Sequence, residues 1–465
     1  SVQKLPPEEK EVPPGFQERF TAMWTVPVAP GDDFYEVVCR MSSESLSDEM
    51  RTGFCVEDRQ ILQAGAPVLL KDNYFQRDGQ PSFLLGTNQT GAVFCSAFED
   101  PLVWKRDLDA MSGAGLSILR VLHFSPFVVS QTGEPRARPL DLNVESLPRW
   151  VERRLDALVQ LTARYGIALM LTLHDWMGLN LTEEELEAQR RFASLVAGRY
   201  RDCPHVFFDI QNEPEVTLDR PKTDFALWNR FLLERYGSRE ALQDAWGSLA
   251  GDERPGAIEI PQEGKDWADA RRVDLDLFRV WLLDRWAKAN AEGVRQVSKA
   301  PVTIGFIQHM TFADQLLGTA WLDFANKHYY GDKRRFAAEI KVVDRRFEGK
   351  SLTVGEFGSV VDHDARIRGI SRESADWQWY LEAAGTTLGM GGAFILNWCW
   401  KEMPDNVFPW GINSPNDNLP RETLLAFGAF ALATRDFRPQ YVPPKVYLIA
   451  PDLNRMGAQA EKVNG

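Results

Sequence analysis

Between about residues 80 and 435 the chain repeats one pattern, a short apolar run followed by a longer amphipathic stretch. Eight runs have strand length: 82–88, 115–124, 167–175, 206–212, 302–308, 322–330, 351–357 and 392–399. The stretches 147–165, 183–200, 274–298, 333–347, 371–388 and 421–435 place apolar residues at helical spacing. Strands alternating with helices build parallel βαβ units, and eight in succession favour a closed (β/α)8 TIM barrel over an open sheet. The fold class expected is therefore α/β. A barrel needs roughly 250 residues, and the chain has 465, so room remains for an appendage and an insertion.

The flanks read differently. Residues 1–14 carry four prolines and suit a tail or linker. Residues 15–78 alternate in strand fashion around Phe20–Pro27, Phe34–Cys39 and Thr52–Val56, which predicts a small β-rich element that would suit part of a sandwich. The barrel is expected over 79–440, with a C-terminal extension at 441–465. After the fourth strand an insertion at 215–270 precedes the next helix, and Phe225–Trp246 within it reads as helical. The stretch between the first two strands gives no clear pattern.

Composition removes several function classes. A net charge of −13, with Lys and Arg spread along the chain, argues against nucleic acid and anionic membranes as partners. Apolar runs such as Ile167–Leu173 are far too short to cross a bilayer. Cys39, Cys55, Cys95, Cys203 and Cys399 are odd in number, widely spaced and without a CxxC, which disfavours a disulfide framework or a zinc site. No HExxH occurs, and Gly389-Met-Gly-Gly precedes a strand instead of following one, so neither a metal nor a phosphate-bearing cofactor is expected. Asn88-Gln-Thr and Asn180-Leu-Thr match the glycosylation sequon, a short pattern that recurs by chance. The N-terminus shows no basic-then-apolar signal segment, which suits either a processed secreted protein or a cytoplasmic one, and nothing bears on oligomeric state.

Polar residues gather where the apolar strands end, the face on which barrel active sites form. The second strand ends in Arg120-Val-Leu-His123, the third in His174-Asp175-Trp176, the fourth in Asn212-Glu213-Pro214. The fifth ends near Gln308 and His309, the sixth in His328-Tyr-Tyr330, the seventh in Gly-Glu356-Phe-Gly, and the eighth runs Asn397-Trp398-Cys-Trp400. Strands four and seven lie across a barrel mouth from one another, so Glu213 and Glu356 can face each other over a bound sugar. Hydrolysis of a glycosidic bond with retention needs two carboxyl groups about 5–5.5 Å apart, one attacking the anomeric carbon and one serving as acid and then base.

This ordered set resembles the clan A glycoside hydrolases, most closely glycoside hydrolase family 5, over about residues 80–435. The resemblance implies Glu213 as acid/base in an Asn-Glu-Pro motif and Glu356 as nucleophile. Arg120, His174, His328, Tyr330 and Trp398 fill the family's remaining positions in order. The insertion, with Leu232-Leu-Glu-Arg-Tyr-Gly-Ser-Arg-Glu, is closer to the β-galactosidase families, and the N-terminal β-element has no counterpart in the family 5 barrel.

Each role has a physical reason. Arg120 can hold Glu356 ionised, Tyr330 can donate to it, and Asn212 can bind the sugar 2-OH. His174 and His328 suit polar positioning, and Trp398 a floor beneath the sugar. Asp175, Trp176, Gln308 and His309 are further candidates, and His123 a weaker one. The insertion is expected to wall off one end of the cleft, with Trp228, Tyr236 and Trp246 as its aromatic contacts. The resemblance implies a retaining hydrolase of β-linked gluco- or manno-configured saccharides, with a β-galactosidase or an inactive carbohydrate-binding barrel as alternatives.

Overall fold

The computed structural model describes residues 33–89, 100–122, 145–175, 178–262, 269–306, 320–344, 350–359, 377–402, 410–414 and 419–442, with 23–26 and a few positions before them. The strands are β1 (Phe34–Ser42), β2 (Ser47–Cys55), β3 (Leu69–Lys71), β4 (Tyr74–Arg77), β5 (Gln80–Ser82), β6 (Leu84–Gln89), β7 (Ile118–Val121), β8 (Ala168–Asp175), β9 (Val206–Asn212), β10 (Val302–Phe306), β11 (Phe324–Tyr329), β12 (Ser351–Phe357) and β13 (Gly392–Asn397). The helices are α1 (Arg59–Gln63), α2 (Pro101–Gly113), α3 (Arg149–Arg164), α4 (Glu183–Arg199), α5 (Pro221–Tyr236), α6 (Arg239–Trp246), α7 (Ala270–Arg295), α8 (Phe336–Asp344), α9 (Trp377–Gly389) and α10 (Glu422–Thr434). Strands β6 to β13 pair in sequence order, all parallel, and β13 closes back on β6. All eight expected strands are present, with β9 and β12 over the expected residues. No helix among the described residues is long and apolar enough to cross a membrane.

Alternation along each strand divides the interior. Leu169, Leu171 and Leu173 of β8 point outward into a layer shared with Leu155, Phe192 and Trp286 of the helices. Ala168 and Met170 point inward, where they meet Phe207, Phe324 and Phe394. The floor of this inner core comes from outside the barrel. In the antiparallel sheet β3–β4–β5, Phe75 is fully buried, with its ring 5.7 Å from Phe207, 5.3 Å from Phe324 and 5.5 Å from Phe394. The sheet therefore plugs the end of the barrel at which the strands begin. Arg77 of β4 fixes it there by donating to the carbonyls of Ser117 and Gly166.

Among the described residues the N-terminal β-element shows no sandwich, and the expected strand at Phe20–Pro27 lies mostly outside them. The element is a two-stranded ribbon, β1–β2, separate from the three-stranded plug. One side of the ribbon carries an ion-pair ladder, Arg51 to Glu36 at 2.8 Å and Arg40 to Glu49 at 2.6 Å. Its base is anchored where Asp33 accepts from Gln160 and Arg164 of α3. Within the unassigned stretch between the first two strands, Pro101–Gly113 forms α2, begun by Asp100 as N-cap and Pro101 in the first turn.

The expected helix in the insertion is two helices, broken where Gly237 takes φ of 71° and Ser238 caps α6. These pack on the first half of α7 around a core of their own: Leu227, Trp228, Phe231, Leu242, Ile258, Leu275 and Phe278. Trp246 stacks on Trp228, and Tyr236 and Trp246 both donate to Asp274 of α7. The three aromatic residues expected to face the cleft thus serve the insertion's interior. Asn88 and Asn180 are 0% and 1% exposed, so neither sequon presents an accessible side chain. The four cysteines within the described residues are free thiols.

Two outcomes follow from this packing. Phe75→Ala should cost about 3–5 kcal/mol, the range for a buried Phe, measured by urea unfolding; a loss under about 1 kcal/mol would mean the plug is dispensable. His174 and His205 are buried, and burial pulls each down from 6.5 to about 4. The unfolded chain protonates them near 6.5 and the folded one does not, so stability is intact above that pH and lost as pH falls toward 4. Each should contribute a loss of about 2 kcal/mol at pH 5. Urea midpoints at pH 7 and pH 5 should differ less in His205→Gln than in the wild type, and an equal difference would count against the argument.

Candidate active site

At the mouth, strict alternation breaks down, and the breaks aim the polar side chains. On β9, Phe207 and Asp209 face inward, so period two alone would turn Asn212 away from the site. The β9–β10 register shifts between Thr303 and Gly305, and Asn212 reaches Arg120. Similar shifts occur on β11–β12 between Lys327 and His328, and on β12–β13 between Val354 and Phe357. They bring Glu356 to the inside although Val354 and Phe357 flank it in the outer layer. Bulges re-aim side chains in this way beside active sites. Glu213, just past β9, takes a φ of 43°, uncommon for a residue with a Cβ, and its N–H donates to the Gly305 carbonyl at 2.9 Å.

The centre of the site is Arg120, fully buried on β7. Its Nε and Nη2 donate to Asp209 Oδ2 at 2.9 and 2.5 Å. Nη1 donates to Asn88 Oδ1 at 3.0 Å and to Glu356 Oε1 at 2.6 Å, and Nη2 also to Asn212 Oδ1 at 2.9 Å. All five guanidinium N–H donors are therefore used. Glu356 takes a further bond on Oε2 from Tyr330 at 2.7 Å. Burial pushes the Glu356 carboxyl above its usual range, against the pull of the His328 imidazole and the Arg120 guanidinium.

His328 stands between the two glutamates, its Nδ1 2.8 Å from Glu213 Oε1 and 3.5 Å from Glu356 Oε2. Burial draws it down to about 4, so it is neutral near pH 7. The facing atoms of Glu213, His328 and Glu356 lie within 4.8 Å of one another. Among the described residues this is the set with spacing suited to a cation, and the His328–Glu213 hydrogen bond accounts for part of its closeness.

Six sequence-derived candidates, Arg120, Asn212, Glu213, His328, Tyr330 and Glu356, thus converge on one place. Trp398 is half-buried at the end of β13, after which comes a cis peptide bond to Cys399. Asp175 ends β8 in register with Asn212. Trp176, Gln308, His309 and His123 lie outside the described residues.

His174 does not join the site. It lies outside the barrel wall, with Nε2 2.8 Å from Asn290 of α7 and its ring 5.3 Å from Phe192 of α4. Thr172, two residues earlier, does reach inward to Asp209, so alternation fails between the two. Three residues of the site were not foreseen. Asp209 had a signal, a lone acid inside the apolar run Val206–Ile210. Asn88 stands out in the sequence only as part of a sequon. Trp410, whose ring meets Tyr330 edge-on at 5.1 Å, lies in a loop without periodicity.

A family model described as cellulase, glycosyl hydrolase family 5, matches residues 86–239. A second, described as β-galactosidase and belonging to family 42, matches residues 180–351. No curated protein matches the sequence. Among solved structures the fold is similar to the β-galactosidase of Rahnella sp. R3, with TM-score 0.60 and 16% identity over 77% of this chain and 57% of that one. It is also similar to the β-galactosidase of the psychrophilic Marinomonas ef1, with TM-score 0.56 and 17% identity over 76% and 60%. The endo-1,4-β-mannanase of Rhizomucor miehei gives TM-score 0.52 and 16% identity over 79% and 100%. The chain covers less than two thirds of the two galactosidases. Its closed barrel and these two partial matches make the chain similar to the clan A glycoside hydrolases, families 5 and 42 among them.

Proposed function

We propose that the chain is a retaining β-glycosidase in which Glu356 is the nucleophile and Glu213 the acid/base. The observation that carries this reading is the spacing of the two carboxyl groups, with facing oxygens within 4.8 Å. Retaining enzymes hold their carboxyls about 5–5.5 Å apart, and inverting ones leave about 6.5–9.5 Å for a water. The environments of the two residues also differ in the direction the roles require. Glu356 is 4% exposed and held by Arg120 and Tyr330, which suits a fixed, ionised nucleophile. Glu213 has a side chain 24% exposed, which suits a group that must reach a leaving oxygen and then a water.

In the first step a Glu356 oxygen bonds to the anomeric carbon, the glycosidic C–O bond breaks, and the Glu213 proton passes to the departing oxygen. In the second, Glu213 takes a proton from water, the water oxygen bonds to the anomeric carbon, and Glu356 leaves as carboxylate. Asn212, with its Oδ1 occupied by Arg120, keeps its amide N–H groups for the sugar. His328 bridges both carboxyls and can follow the proton on Glu213 between steps.

The substrates we favour are β-glucosides and β-mannosides, in keeping with the family 5 match over 86–239. A β-galactoside is the second reading, motivated by the match over 180–351, which includes the insertion. A panel of aryl β-glycosides of the three sugars separates them, and inactivity on all three would sink the hydrolase reading.

Glu356→Ala should lower turnover of an activated aryl β-glycoside on the order of a thousandfold or more, and azide should restore it with an α-glycosyl azide as product, read by NMR. Near-wild-type activity in that variant would overturn the assignment. Glu356 must be ionised to attack, so activity is lost as pH falls through its pKa. With that pKa raised, the acid limb of kcat/KM should lie above pH 4.5. Glu213→Gln should abolish the alkaline limb for a dinitrophenyl glycoside, which needs little acid help, and an unchanged limb would point to a different acid.

A further inference from the structure

We propose that Asp209, buried behind Arg120, is a positioning residue that divides the guanidinium charge with Glu356 and so sets the pH at which the nucleophile ionises. The inference rests on the nucleophile role given to Glu356 above. Asp209 lies on β9, 0% exposed, on the far side of Arg120 from the cleft, and so does not touch substrate. Its Oδ2 accepts from Arg120 Nε and Nη2 and from Thr172 Oγ1 at 3.2 Å, and its Oδ1 from the Gly305 N–H at 2.9 Å. Both oxygens are thereby fixed by three strands, β7, β8 and β10.

The consequence is electrostatic. One guanidinium serves two carboxylates, Asp209 through its Nε edge and Glu356 through Nη1. Glu356 therefore feels only part of the cation, and feels the negative charge of Asp209 behind it. The other groups facing Glu356 are Tyr330, His328 and Glu213, with Cys399 near enough to be felt, while Lys327 acts on His328. Tyr330 is uncharged at neutral pH, and His328, drawn down to about 4, adds its pull on Glu356 only in acid. Replacing Asp209 by a neutral residue leaves the whole Arg120 charge to Glu356. Its carboxylate becomes more stable, a weaker nucleophile and a better leaving group.

The close packing leaves little alternative for Arg120. A Cβ at Gly305 would meet His328 Nε2 at 2.6 Å and Arg120 Nη2 at 3.1 Å, so guanidinium and imidazole fill the space over this strand. Without Asp209 the arginine is still held by Asn88, Asn212 and Glu356.

The test is the pH dependence of kcat/KM for dinitrophenyl β-glycosides of glucose, mannose and galactose, using the full chain. With this leaving group the acid limb reports the ionisation of Glu356. Asp209→Asn should move that limb down by about one pH unit or more, as expected for removal of a nearby buried charge, and should lower kcat/KM above the limb. A purely structural role would lower kcat and thermal stability and leave the limb in place. A limb unmoved, or moved upward, overturns the proposal. Asp209→Ser, which leaves room for water against the guanidinium, carries the same test if the amide variant does not fold. Inactivity of the wild type on all three glycosides would instead defeat the hydrolase reading, and this proposal with it.

Discussion

A single guanidinium organises the mouth of this barrel. Arg120 is fully buried and donates to groups from β6, β9 and β12, so four of the eight strands meet at its side chain. A buried cation is tolerable only when paired and fully hydrogen-bonded, and each of its N–H groups has an acceptor. That requirement runs outward through the structure. It demands an acid on the apolar strand β9, amides at the ends of β6 and β9, and a carboxylate on β12 that cannot rotate freely. Glu356, facing Glu213 over the site, is therefore held in place from behind by a fully buried charge.

The sequence displayed the barrel because apolar strands and amphipathic helices alternate with two distinct periods, and both periods survive in the fold. Glu213, Glu356, His328 and Tyr330 were legible because each closes an apolar run, and Arg120 because it interrupts one. His174 closes one as well, yet it stands in the strand–helix layer beside Phe192 and Asn290. Position in a run tells where along a strand a residue lies, but its face depends on bulges. Those bulges are set by neighbouring strands and leave no local trace. The same irregularities bring Asn212 and Glu356 inward.

Other features were hidden by size or isolation. The plug strands are three or four residues long, too short to establish a period, and nothing local marks Phe75 as the floor of a barrel. The ribbon β1–β2 alternates as a sandwich strand would, and only its lack of further strand partners among the described residues distinguishes it. Helix α2 did carry a readable start in Asp100-Pro101, but its weak amphipathicity gave no body to follow. Asp209 carried the clearest overlooked signal, since an acid inside an apolar strand must find a cation or stay protonated.

Helix α7 belongs to two cores at once. Its first half supplies Leu275 and Phe278 to the insertion, and its second half supplies Trp286 and Val294 to the layer around the barrel. At 26 residues it is about 39 Å long. The insertion is consequently not a detachable ornament. Trimming α5 and α6 would strip cover from a helix that also buttresses β8 through Asn290 and His174. In the history of such a protein, the segment could change its surface and its loops freely, but it could be lost only together with the upper half of α7.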